Sequence, residues 1–97
     1  MVIKWNKAAV DQLLSVIEFL EEKGLHLYAE QLENDIIARI KALPQNPTKY
    51  PQDKFKKQNN GKYRAFEVDH YRVSYRHSET EIRIVRLRHT SRRVRRY

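Results

Sequence analysis

The sequence of 97 residues contains no cysteine, two glycines, three prolines and one tryptophan. Without thiols there is no disulfide framework, no thiolate metal site and no cysteine nucleophile. No apolar run approaches the roughly 18–20 residues of a membrane span. The first residues also lack the charged-then-apolar pattern of a secretory signal. A cytoplasmic location with no membrane contact is therefore expected. The scarce breakers are concentrated, because one glycine is Gly24 and every proline, with Gly61, falls within residues 44–61.

Acidic residues run short at one end only. Residues 62–97 hold eleven Lys/Arg against four Asp/Glu, which accounts for +7 of the formal net charge of +8. Ten of those eleven cations are arginine, the side chain suited to bidentate phosphate contacts and to stacking. A polyanion, either nucleic acid or an acidic protein segment, is the matching partner. The alternative is a merely solvated basic face, since net charge speaks to binding and solubility and not to fold. With 40% hydrophobic and 33% charged residues, the chain is expected to form one globular domain with a single modest core.

Met1 to Trp5 read as a short strand, and Asn6 is placed to cap a helix. Ala9, Leu13, Val16, Ile17 and Leu20 recur at three- and four-residue spacing until Gly24, which can take the left-handed C-cap conformation. Leu25, Ala29, Leu32, Ile36, Ile40 and Leu43 continue the same period, and Pro44 ends it. Two helices separated by one glycine must fold back as an antiparallel hairpin spanning 6–43. Residues 44–61 have no sustained period and read as a long loop, with a small basic and aromatic cluster at Lys54, Phe55, Lys56 and Lys57.

From Lys62 the period becomes two. Arg64, Phe66 and Val68 share one strand face. Asp69-His70 and Ser78 to Thr80 are turn candidates. Tyr71, Val73 and Tyr75 face one way while Arg72, Ser74 and Arg76 face the other. Ile82, Ile84, Val85 and Leu87 change phase at 84–85, which implies a bulge or a strand covered on both faces. Residues 62–89 thus form a meander, followed by a basic extension over 90–97. The expectation is one α+β domain over 1–97 in the order β-α-α-β-β-β. Its helical hairpin packs on one face of a small antiparallel sheet, and the other face is an arginine-lined groove.

These features together resemble the RelE/ParE superfamily of toxins from bacterial type II toxin–antitoxin, or plasmid stabilisation, modules. The carriers are Ala9 and Ile17-Glu18-Phe19-Leu20 in the first helix, then Leu43-Pro44-Gln45-Asn46-Pro47. Tyr71-Arg72-Val73-Ser74-Tyr75 and Ile84-Val85-Arg86-Leu87-Arg88-His89 complete the set. The resemblance implies a small basic growth-inhibiting toxin, neutralised by a cognate antitoxin and needing no cofactor. It also implies one of two targets. RelE-like members cut mRNA on the ribosome as metal-independent endoribonucleases, whereas ParE-like members poison DNA gyrase without being nucleases. A degenerate toxin that keeps only antitoxin binding is a third outcome.

Ribonuclease chemistry needs a general base, a charge clamp on the phosphorane and a general acid. On the resemblance, Arg72 is the phosphate clamp, His89 the acid–base group and Tyr97 a stacking platform or proton donor. Arg64, Arg76, Arg86, Arg88, Arg92 and Arg93 supply further RNA or phosphate contacts. Each of the first three has a plainer reading. Arg72 can pair with Glu67 or Glu81 across the sheet, His89 can be a structural histidine at a strand end, and Tyr97 can fray. Arg64 and Phe66 stand where RelE-like relatives carry lysines, Thr90 follows His89, and the long hairpin looks more like ParE, all of which count against the nuclease. His89, Arg72 and the heavy positive charge favour an RNA substrate, so cleavage of ribosome-bound mRNA is the expected activity and gyrase inhibition the alternative. His26, His70 and His77 show no ligand spacing with His89, so no metal site is expected.

Overall fold

The computed structural model describes all of residues 1–97. Strand β1 (Val2–Trp5) leads into helix α1 (Lys7–Glu22), then helix α2 (His26–Ala42) and a 3₁₀ turn at Leu43–Gln45. Strands β2 (Tyr63–Val68), β3 (Tyr71–His77) and β4 (Glu81–His89) follow. Neither helix is long and apolar enough to cross a membrane.

Asn6 occupies the N-cap position of α1, but its side chain makes no cap bond. Its Oδ1 instead accepts from Arg83 Nη1 at 3.2 Å, tying the helix start to β4. The end of α1 is a Schellman turn. Gly24 has φ +76°, its N–H donates to Glu21 O at 2.9 Å, and Leu25 N–H donates to Leu20 O at 2.9 Å. The turn reverses the chain, so Ala9, Leu13 and Leu20 of α1 pack in one core with Ala29, Leu32, Ile36 and Ile40 of α2. Leu25, expected to open the second apolar stripe, is instead 48% exposed in the connection.

The sheet order is β1-β4-β3-β2. The meander is antiparallel as expected. β1 adds itself parallel to β4, pairing Val2 with Glu81 and Trp5 with Ile84, so the sheet as a whole is mixed. A parallel neighbour requires a long connection, and here the helical hairpin, the 44–61 segment, β2 and β3 all lie between β1 and β4.

In the β3–β4 pairing, Ser74 opposes Arg86 and Tyr75 opposes Ile84, leaving Val85 as the extra residue of a bulge. That bulge resolves the phase change in the sequence. It puts Ile82, Ile84 and Leu87 into the core with Phe66, Val68, Tyr71, Val73 and Tyr75. Each fully buried isoleucine or leucine there contributes about 1.5–3 kcal/mol relative to exposure.

The 44–61 connection is held along the β2 edge. Ala65 N–H donates to Pro51 O at 3.2 Å and Asp53 N–H to Tyr63 O at 2.8 Å, with a bridge between Gln52 and Arg64. Asn59 staples the far side. Its Nδ2 donates to Tyr63 O at 2.8 Å, and its Oδ1 accepts Gly61 N–H at 2.9 Å and Tyr63 N–H at 3.2 Å. Tyr75, buried on the helix side, reaches through to donate its O–H to Pro47 O at 2.7 Å.

Candidate functional site

Alternation along the strands puts Glu67, Arg72, Ser74, Arg76, Arg86 and Arg88 on the sheet face away from the helices. The arginine-rich face expected from the sequence therefore exists. Its centre is not an open groove. Arg72 is 8% exposed and Arg86 6%, because the 53–57 segment and Tyr97 lie over them.

Asp53 organises this centre. Its Oδ1 accepts from Arg72 Nη2 at 3.0 Å and from the Phe55 N–H at 3.0 Å. Its Oδ2 accepts the Tyr97 hydroxyl at 2.7 Å. Arg72 Nη1 also reaches Glu67 Oε2 at 3.0 Å, so this guanidinium is shared between two carboxylates. The Phe55 ring lies 5.0 Å from the Arg72 guanidinium carbon. The Arg86 guanidinium stacks on the Tyr97 ring at 3.9 Å, with the Lys56 ammonium 5.4 Å from the same ring. Tyr63 meets the Tyr97 ring edge-on at 6.3 Å. Backbone bonds lock the arrangement: Tyr97 N–H donates to Phe55 O at 2.8 Å, and Lys57 N–H donates to Tyr97 O.

Burial alone would raise the Asp53 carboxyl. Donation from the Tyr97 hydroxyl, with that from the Phe55 N–H and Arg72, outweighs it and holds the group below its ordinary value. The Tyr97 phenol is driven far upward, first by burial and then by its bond to the Asp53 carboxylate. Burial likewise pulls Arg86 below its ordinary value. Four polar atoms in this cluster are buried with no partner: Arg72 Nε, Ser74 Oγ, Arg86 Nε and Arg86 Nη2.

His89 lies elsewhere. It pairs with Tyr71 across the ladder and so shares the helix-side face, whereas Arg72 pairs with Arg88 on the other. Its ring meets Tyr71 edge-on at 4.9 Å and stacks on His70 at 6.0 Å. Nδ1 accepts the Ser91 N–H at 3.0 Å, with Ser91 Oγ 2.6 Å away. It faces a groove of about 500 Å³ shared with Gln12, Val16 and Phe19 of α1. The sheet thus stands between His89 and the Arg72–Tyr97 pair.

Of the remaining arginines, Arg86 and Arg88 join Arg72 on the second face. Arg64 projects from the helix-side face of β2, where Nη1 donates to Tyr50 O at 2.8 Å and Nε to His77 Nε2 at 3.3 Å. Arg76 stands at the far end of the sheet beside Arg83. Arg92 borders the His89 groove, and Arg93 borders a separate concavity with Lys57. None of these arginines forms an ion pair with a carboxylate; beyond Arg72, the paired cations are Lys4 and Arg83, both on Glu81.

Tyr97 does not fray, because its ring, hydroxyl and backbone are all engaged. Asp53 is the residue that sequence reasoning passed over. Its signal was available, as the one acid within the otherwise basic 44–61 segment. No group of three or more His, Asp or Glu side chains is placed to hold a metal ion. Chemically, the cluster offers a neutralised arginine, a saturated carboxylate and a phenol that gives up its proton reluctantly. It has no free general base.

Residues 3–94 match the family described as the ParE toxin of type II toxin-antitoxin system, parDE. Among solved structures, one from the chromosomal ParDE TA system of P. aeruginosa superposes with a TM-score of 0.71. The match covers 92% of this chain and 95% of that chain at 20% identity, which is a likeness of fold. No curated protein sequence matches significantly.

Proposed function

Because the chain belongs to the ParE toxin family of type II toxin–antitoxin systems, we propose that it arrests growth by stoichiometric binding of DNA gyrase rather than by cutting RNA. The observation carrying this reading is the separation of the three candidate catalytic residues. His89 lies on the helix-side face, and Arg72 and Tyr97 lie on the other, bound to Asp53. A phosphodiester cannot meet a base and a clamp on opposite sides of one sheet. Arg72, the expected clamp, already serves two carboxylates.

The cognate antitoxin is the second partner. Arg76, Arg88, Arg92 and Arg93 lack carboxylate partners and suit an acidic antitoxin segment. The decisive experiment adds purified protein to a gyrase supercoiling reaction and, separately, to a cell-free translation reaction with the mRNA followed on a gel. Supercoiling should stall near equimolar toxin while the message stays intact. Cut mRNA with unaffected gyrase would instead establish the ribonuclease, and survival of cells expressing the chain alone would mark a degenerate toxin.

A further inference from the structure

We propose that the slot holding Tyr97 is a latent site for a hydrogen-phosphate group, free or as a monoester, covered by residues 90–97 acting as a strap. This goes beyond the choice of target and does not depend on it. The starting point is the set of unpartnered buried donors around this slot: Arg86 Nε and Nη2 against the Tyr97 ring, the Ser74 hydroxyl paired with Arg86 in the ladder, and Arg72 Nε beside Phe55. The three residues are 6%, 0% and 8% exposed. Buried donors without partners are rare and costly, and stacking on the Tyr97 ring satisfies none of the Arg86 N–H groups.

The pattern of donors and acceptors selects the ligand. Two guanidinium groups and a hydroxyl call for several acceptor oxygens. Asp53 Oδ2 is an acceptor, and it now takes the Tyr97 O–H. A group replacing the phenol must therefore bring acceptors for the arginines and one O–H for Asp53. Hydrogen phosphate and a singly protonated monoester carry both. A carboxylate or a phosphodiester has no O–H and would set bare negative charge against Asp53.

The cover is attached mainly at its ends. Thr90 and Arg92 bond back to His70 and His89, and Tyr97 bonds to Phe55, Lys57 and Asp53. Between them Arg93, Arg95 and Arg96 are exposed and make no backbone bonds. Release of one residue, Tyr97, frees the strap and uncovers Arg86.

The test uses the purified full-length chain at constant ionic strength, titrated with inorganic phosphate while the Arg86 Nε–H signal is followed by NMR. Tyr97→Ala should bind phosphate about tenfold more tightly than wild type. Added Arg86→Gln should abolish that binding. Acetate and dimethyl phosphate should bind Tyr97→Ala about tenfold more weakly than phosphate does. In the wild type, phosphate should speed tryptic cleavage after Arg92 and Arg93 relative to chloride. Equal phosphate affinity in wild type and Tyr97→Ala, or no discrimination among the three anions, overturns the proposal. If Tyr97→Ala does not fold, Tyr97→Phe keeps the ring and loses the Asp53 bond. It should gain about threefold in phosphate affinity, and no gain is equally fatal.

Discussion

Arg72 and Asp53 show how one residue's environment changes what its loss would mean. The Asp53 side chain is fully buried and that of Arg72 is 10% exposed, so removing the arginine strands a carboxylate away from water. Arg72→Ala should therefore cost about 3–5 kcal/mol in urea or thermal unfolding. Glu67→Ala, which removes the half-exposed partner, should cost under about 1 kcal/mol. Loss of toxicity in Arg72→Ala alone would thus report folding as readily as function.

Two titrations carry opposite signs. The Asp53 carboxyl lies below its ordinary value of 3.8 in the fold. Its contribution is present above that value and lost as pH falls through the folded one. Near-UV circular dichroism of Tyr97 should accordingly change at acid pH, below about 4. Burial pushes the Tyr75 phenol up to about 12 from 10.0. Its contribution is intact below the unfolded value and disappears as pH rises through the folded one, so stability should fall across pH 10 to 12. Tyr75→Phe should flatten that alkaline limb in equilibrium unfolding, at the cost of the Pro47 hydrogen bond.

At the scale of elements, the hairpin depends on a single backbone conformation. A Cβ at Gly24 would meet nothing within 4 Å, so its substitution is penalised only through φ +76°. Gly24→Ala should destabilise by about 1–2 kcal/mol, measured by chemical denaturation, without shifting the core resonances. The bulge at Val85 has a different role. By adding one residue to β4, it lets Ile82, Ile84 and Leu87 enter the core while Arg86 and Arg88 stay on the other face. With Val85 kept but the bulge straightened, strict alternation would send Leu87 to the arginine face and Arg86 and Arg88 into the core. Deleting Val85 should leave all three on their present sides. Asymmetry between the faces, and with it the Arg86 slot, rests in this chain on Val85 being taken up as a bulge.

For the molecule as a whole, charge governs encounter more than adhesion. Arg92 and Arg93 are exposed and free of carboxylates. They should steer an acidic antitoxin toward a chain of net charge +8. Replacing both with glutamine should slow antitoxin association several-fold, roughly within the range of electrostatic steering. It should also flatten the dependence on salt while leaving dissociation nearly unchanged. Stopped-flow binding at two ionic strengths measures both.

The local elements were legible in the amino-acid order because their causes are local. Apolar spacing of three and four defined both helices, Gly24 and Pro44 marked their ends, and alternation from Lys62 defined the meander with its irregularity at 84–85. The familiar run from Tyr71 to Tyr75 and the strand ending at His89 pointed to the toxin superfamily. Other features depend on segments distant in the chain. No periodicity says that β1 lies parallel to β4, since that follows from the long connection between them. Nor does spacing reveal that Asp53 neutralises Arg72 across 19 residues or holds Tyr97 across 44. Strand alternation could list which residues share a face, but only the β3–β4 register put His89 opposite Tyr71 and therefore behind the sheet from Arg72. Periodicity reports what one element buries. Pairing and coverage are set by which elements meet, and here they turned an expected open groove into a closed, strapped site.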